Sequence, residues 1–166
     1  MALPNRVLPG FSATLFAQSG ANPTVLDNTE LSTWADVNAI CIEANSLPVE
    51  AIPAFGQDDA VANFNVAGAR QSDKIPTQAA PTSMTITAAW NPADTQLIQM
   101  RTDAYNGTID RTFVILATDG QGNFVAYAFN GRVGQFSVDS NPSAEAKCTF
   151  TVHPRGNQYG WSNNAA

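Results

Sequence analysis

The chain has 166 residues, 44% of them hydrophobic and only 13% charged, with a net charge of -6. That length supports one sizeable core, so a single domain is expected, and the acidic balance argues against a protein that grips nucleic acid through its phosphates. No apolar run is long enough to span a bilayer and no cationic leader precedes an apolar stretch, so neither membrane spanning nor a cleaved export signal is expected.

The charge is spread unevenly. Met1 to Asn63 holds seven acids (Asp27, Glu30, Asp36, Glu43, Glu50, Asp58, Asp59) against Arg6, whereas from Val66 onward seven acids meet seven bases. A surface of low charge density suits extensive contact between protein subunits.

In chain order, Met1 to Gly10 carries Pro4 and Pro9 without a period and reads as an extended N-terminal arm. Phe11 to Ala17 alternates as a short strand, and Ser19 to Asn28 is a polar loop. Thr33 to Ala44 fits a helical stripe through Trp34, Val37, Ile40 and Cys41 but also a strand, and the β-branched residues around Ala39 to Ile42 favour strand. Leu47 to Phe55 is extended, with Pro48 and Pro53 confining it to an edge or a connection. Gly56 to Pro81 has no convincing period and reads as a long polar loop. Its Val61, Phe64, Val66 and Ile75 are too apolar for a linker, which predicts that it orders against a partner.

Met84, Ile86, Ala88 and Trp90 alternate with Thr85, Thr87 and Ala89 as a half-buried strand does. Asn91 as cap, Pro92 at the first helical position and Asp94 near the positive end of the dipole predict a helix over about 92–105, stopped by Gly107. Ala93, Leu97, Met100 and Ala104 form its apolar face, with Gln96, Gln99 and Asp103 opposite. Three strands close the domain: Arg111 to Thr118, Asn123 to about Val138 with a break near Gly134, and Ala144 to His153, ended by Pro154. Asp119-Gly120-Gln121-Gly122 turns between the first two. The domain thus covers 11–155, and 156–166 is a polar tail.

Catalytic patterns are missing. His153 is the only histidine, and no nucleophile elbow, P-loop or dinucleotide fingerprint occurs. Cys41 and Cys148 sit in apolar stretches and read as buried thiols, with no metal-ligand spacing. Asn106-Gly107-Thr108 fits a glycosylation sequon but reads as a turn. Glu43 and Glu50 are the best pair for carboxylate chemistry, and the aromatic residues on strands are explained by core packing. The expectation is no catalytic residue, no metal and no cofactor.

The order of elements, arm, early strands, long loop, strand, Asn-Pro helix and three-strand finish, resembles the tail tube proteins of long-tailed bacteriophages. Ser83 to Asp94 and the following helix carry the resemblance most specifically, and it continues through Phe113 to Leu116, Phe124 to Val133 and Lys147 to Gly156. It implies a mainly β fold, a β-sandwich or partial barrel with one flanking α-helix, whose copies close into six-membered rings and stack into a tube through which DNA leaves the virion. Its implied partners are copies of itself, other tail proteins, and DNA in transit without specific binding; it implies no membrane. Location in the virion tail, after assembly in the host cytoplasm, follows. The long loop and the arm would bridge subunits and rings, pointing to Asp58, Asp59, Phe64, Arg70, Asp73 and Lys74. Glu43 and Glu50 are candidate lumen acids, on a wall that repels passing DNA. The type VI secretion inner-tube protein is similar in fold, and a secreted ligand- or carbohydrate-binding β-sandwich is the competing reading.

Overall fold

The computed structural model describes residues 12–64, 73–118, 122–139 and 145–162. The arm Met1–Gly10, Arg70 and the turn residues 119–121 lie outside them. The strands are β1 (Ser12–Ala17), β2 (Ser46–Leu47), β3 (Val49–Ala51), β4 (Gln57–Phe64), β5 (Asp73–Pro81), β6 (Met84–Ala89), β7 (Arg111–Thr118), β8 (Phe124–Asp139) and β9 (Lys147–Ser162). The helices are α1 (Asn28–Leu31), α2 (Trp34–Asn38) and α3 (Thr95–Asn106), with a 3-10 turn at Glu43–Asn45.

Seven strands form one antiparallel sheet in the order β2-β1-β7-β8-β9-β6-β3. Its two end strands are successive pieces of one segment: Leu47 pairs with Leu15 on one side, and Val49 pairs with Ala88 on the other. The segment 46–51 therefore draws both ends of the sheet together, giving a nearly closed barrel in a mainly β fold. Pro48 sits between its two pairings, the place where a strand tolerates proline, and its carbonyl accepts from the Ala89 amide at 3.0 Å.

The core inside the barrel includes Leu15, Ile86, Phe113, Phe129, Phe150 and Val152, with Leu97 and Met100 of α3 packed among them. A second apolar cluster lies on the other face of the sheet, where Phe16, Val114 and Ala128 are covered by Leu31, Val37 and Ile40. This second cluster corrects the expectation of a strand at Thr33 to Ala44. The stripe through Trp34, Val37 and Ile40 sets one helical face down on the sheet, and that burial outweighs the weak β preference of the branched residues.

The Asn-Pro opening is also corrected. Asn91 Oδ1 accepts from the Ala93 amide at 2.9 Å, making a turn that holds Pro92, while Asp94 is the N-cap of α3 and accepts from the Gln96 and Leu97 amides. Gly107, at φ 65°, ends α3 in the left-handed conformation that glycine adopts without steric cost. Two residues assigned to the polar face of α3 are buried. Gln96 donates to the Ala17 carbonyl at 2.9 Å, and Asp103 is the partner of Arg111.

Arg111, the first residue of β7, has no exposed surface. Its Nε donates to Asp103, Nη2 donates to Asp103 Oδ1 at 3.0 Å, and Nη1 donates to the Gln18 carbonyl at 2.7 Å. Gln99 Nε2 adds a further bond to Asp103 Oδ1 at 3.0 Å. One guanidinium thus ties α3, β7 and the end of β1 together, with the fork geometry that suits arginine to such a junction.

The final strand does not stop at Pro154, and the expected polar tail is strand as far as Ser162. Pro154 lies opposite Gly131, just past the last β6 pair, Met84 with Val152. There β9 has only β8 beside it in the sheet, so proline is tolerated. The expected break near Gly134 is present as a register shift between Gly134 and Ser137, with Gln135 at φ 53°.

Candidate assembly surfaces

The segment expected to be a loop, Gly56 to Pro81, contains a two-stranded antiparallel ribbon instead. Pairing runs from Gln57 with Pro81 at its base to Phe64 with Asp73 at its far end. Eight residues of β4 at about 3.3 Å each give a length of about 26 Å. A register shift between Asp59 and Val61 places an extra residue on β5, which bends a ribbon and increases its twist. The ribbon is a separate sheet, joined to the barrel through the chain on either side and by approach of β5 to β9.

The residues singled out in this segment separate into two groups. Asp58 and Asp59 stand at the base opposite Ala80 and Ala79, whereas Phe64 and Lys74 stand at the far end opposite Asp73 and Asn63.

Several stretches of the barrel have a strand on one side only within the sheet, and two of them are long. β9 from His153 onward has β8 but not β6, and β8 from Arg132 onward has β9 but not β7. Unpaired amides and carbonyls along such stretches are templates for another strand. The base of the ribbon lies near the first of them, and Ala79, Pro81, Gly156 and Gln158 line a shared cavity of about 310 Å³.

The candidate lumen acids lie on different elements, and Glu50 is paired with a lysine. Glu43 opens the 3-10 turn and is exposed. Glu50 lies on β3 and accepts from Lys147 Nζ at 2.7 Å, which holds the ammonium above its ordinary value. Of the other early acids, Asp27 and Glu30 form a capping box on α1, with Asp27 accepting from the Thr29 and Glu30 amides and Glu30 accepting from the Asp27 amide.

A charged cluster that sequence reading missed surrounds Asp110. Arg132 Nε donates to it at 2.6 Å and Arg155 Nη1 at 3.0 Å. Burial pushes its carboxyl upward, but the hydrogen bonds from Arg132 and then Arg155 outweigh this and hold it below the ordinary carboxylate value. A depressed acid contributes stability that is full above its unfolded pKa, about 3.9, and fades as pH falls through the lower folded value. Asp110→Asn is therefore expected to reduce stability at pH 6 and to leave it nearly unchanged near pH 2, as read from thermal unfolding. Equal pH slopes for variant and wild type below pH 4 would contradict the coupling.

His153 Nδ1 lies 2.8 Å from Ser83 Oγ, and its Nε2 is turned toward Gly134, where an added Cβ would come within 3.2 Å. Burial raises both thiols, Cys41 to about 11, in keeping with apolar packing. Among the described residues no group of three acids, cysteines or histidines is placed to hold a metal, and no helix is long and apolar enough to cross a membrane.

No protein-family model and no curated protein sequence matches the chain. Solved structures do. A chain in the sheath/tube terminator of the PVC extracellular contractile injection system, in its extended state, superposes with a TM-score of 0.66 at 10% identity, over 96% of this chain and 99% of that one. A chain in the 6-fold symmetrised baseplate of the anti-feeding prophage gives 0.67 at 8% identity, over 97% of each. The SPP1 tail tube gives 0.56 at 12% identity, over 95% of this chain and 79% of that one. At such identities the likeness is one of fold, and it extends over nearly the whole chain. In fold, this chain is similar to the SPP1 tail tube and to these injection-system chains.

Proposed function

We propose that the chain is the repeating subunit of a phage tail tube, that six copies close into a ring, that rings stack, and that DNA passes through the bore. The observation that carries this reading is the conjunction of the fold with two long strand stretches paired on one side only and a ribbon about 26 Å long that forms a sheet apart from the barrel. Strand stretches of this kind are a hazard in a monomer and an asset in a ring, because a head-to-tail contact repeated by rotation covers every one of them. The 6-fold symmetry of one structural neighbour favours the same ring size.

The ribbon, with Asp58, Asp59, Phe64, Asp73 and Lys74, is assigned the bridging role between subunits, and Arg70 belongs to the same segment. In this reading the protein has no catalytic activity and works in the virion tail. Glu43 and Glu50 would face the lumen, and of the two Glu43 would supply more of the repulsion, because Lys147 offsets Glu50.

Negative-stain microscopy of the purified full-length chain tests the proposal. Rings or tubes are expected. Monomer alone across a wide concentration range by sedimentation, with no tubes in lysates, would overturn it. A reconstruction of the tube then tests the charge assignment, which fails if the bore is neutral or positive.

A further inference from the structure

Tyr105 is 76% exposed, more than any other large apolar side chain among the described residues. It lies in the last turn of α3, and two contacts fix where that turn is held. Asp103 is bound to Arg111, the first residue of β7, and Arg132 Nη1 donates to the Gly107 carbonyl at 3.4 Å. Tyr105 is therefore presented at the end of the barrel where β7 begins.

The other end of β7 carries a cavity of about 370 Å³. Leu116 and Thr118 of β7, Phe124 at the start of β8 and Trp34 of α2 line it, and each is only half-buried. Trp34 and Phe124 stack with centroids 4.9 Å apart, and Trp161 lies 5.7 Å from Trp34. Asn38 and Asn123 line the same cavity, so amide groups accompany the aromatic wall. At about 3.3 Å per residue the two ends of β7 are about 23 Å apart, too far for Tyr105 to reach the cavity of its own chain.

The two ends also differ in charge. Beside the turn that holds Tyr105, Arg132 and Arg155 share the carboxylate of Asp110, at 2.6 and 3.0 Å, which leaves one positive charge over. The helical layer that supplies Trp34 carries Asp27, Glu30 and Asp36 and no base, and none of the three is in an ion pair among the described residues.

We propose that Tyr105 of one copy of this chain occupies the aromatic cavity of the next, in a head-to-tail contact that repeats along the assembly. The choice of a second copy as the partner rests on the tube reading. A phenol brings a flat apolar ring and a hydroxyl that seeks a hydrogen bond, and the cavity offers Trp34, Leu116 and Phe124 to the first and Asn38, Thr118 and Asn123 to the second. Other exposed side chains fit less well. Ile42, Val61 and Val138 have no polar end, and Tyr127 is already packed edge-on against Phe55. A tyrosine beside two arginines has the composition of the residues that dominate protein interfaces. The surplus positive charge at one end and the acidic layer at the other steer unlike ends together. A projecting group and a receiving cavity on different parts of one molecule make a heterologous contact, the kind that repeats from copy to copy.

Cross-linking in the full-length chain tests the contact with Tyr105 in place. Asn106 and Ala35 are exposed neighbours of Tyr105 and Trp34, and burial keeps both native thiols protonated, so cysteines introduced at these positions react first. Copies carrying Asn106→Cys mixed with copies carrying Ala35→Cys are expected to give a linked dimer with a short thiol-to-thiol reagent. Adding Tyr105→Ser should cut that product about tenfold, and the double-cysteine chain should give a ladder of linked copies. In sedimentation, Tyr105→Ser is expected to raise the concentration needed for assembly about tenfold while leaving thermal unfolding of the subunit unchanged. Tubes that form without the cross-link, or that Tyr105→Ser does not weaken, overturn this contact and leave the tube reading standing. A double-cysteine chain that stops at the dimer overturns the head-to-tail repeat. Ladders without rings or tubes keep the contact and overturn the tube, and a chain that neither links nor assembles overturns both.

Discussion

Replacing Asp103 with alanine should cost about 3–5 kcal/mol of unfolding free energy, because it strands the guanidinium of Arg111 in the interior with the Gln18 carbonyl as its remaining acceptor. Both side chains are about 1% exposed, so neither water nor salt can stand in for the lost carboxylate. The loss reflects the penalty of an unpaired buried charge more than the net worth of the pair. Removing both partners should therefore hurt less: Asp103→Leu combined with Arg111→Met is expected to recover most of the stability. Urea unfolding reads the difference as a shift in midpoint at constant slope. A loss below about 1.5 kcal/mol for Asp103→Ala would mean that water reaches the site.

Phe150→Ala is the second large effect, expected at about 3–5 kcal/mol. Phe150 is fully buried near the start of β9, opposite Ile86 on β6, and its ring stacks on Phe136 with centroids 6.0 Å apart. Truncation removes that apolar area from the barrel interior and leaves a cavity that the closed sheet cannot collapse to fill. Phe136→Ala is the internal control, since Phe136 is only half-buried and its loss can be taken up by solvent. Thermal unfolding of the two variants should separate them clearly, and equal losses would contradict the packing described.

Where one face of a segment is buried, the sequence announces it. β7 was legible to the residue at Arg111 and Thr118, and β6 alternates because Met84, Ile86 and Ala88 face the core. The ribbon was missed for the complementary reason. Asp58, Ala60, Val61 and Ala62 are all exposed, so no one-sided burial imposes a period of two, and Pro76 and Pro81 argue further against strand. Gln96 and Asp103 were placed on the solvent side of α3 because their buried partners, the Ala17 carbonyl and Arg111, lie across the fold.

The pairing of β1 with β7 also sets a timetable. Ser12 pairs with Thr118, so β1 waits for this partner while about a hundred further residues are made. At about 5–20 residues per second that wait is on the order of 5–20 s, long compared with helix or hairpin formation. The loop so closed carries an entropic cost that no local contact offsets in advance, which makes β1 docking a late and slow event. Until β7 and β8 are made, Phe16 and the apolar residues of α1 and α2 lack the sheet face of Val114 and Ala128 against which they pack. A growing chain in this condition is a natural client for a chaperone that binds exposed apolar strand. The barrel itself can close only after synthesis has passed β9, which joins β8 to β6.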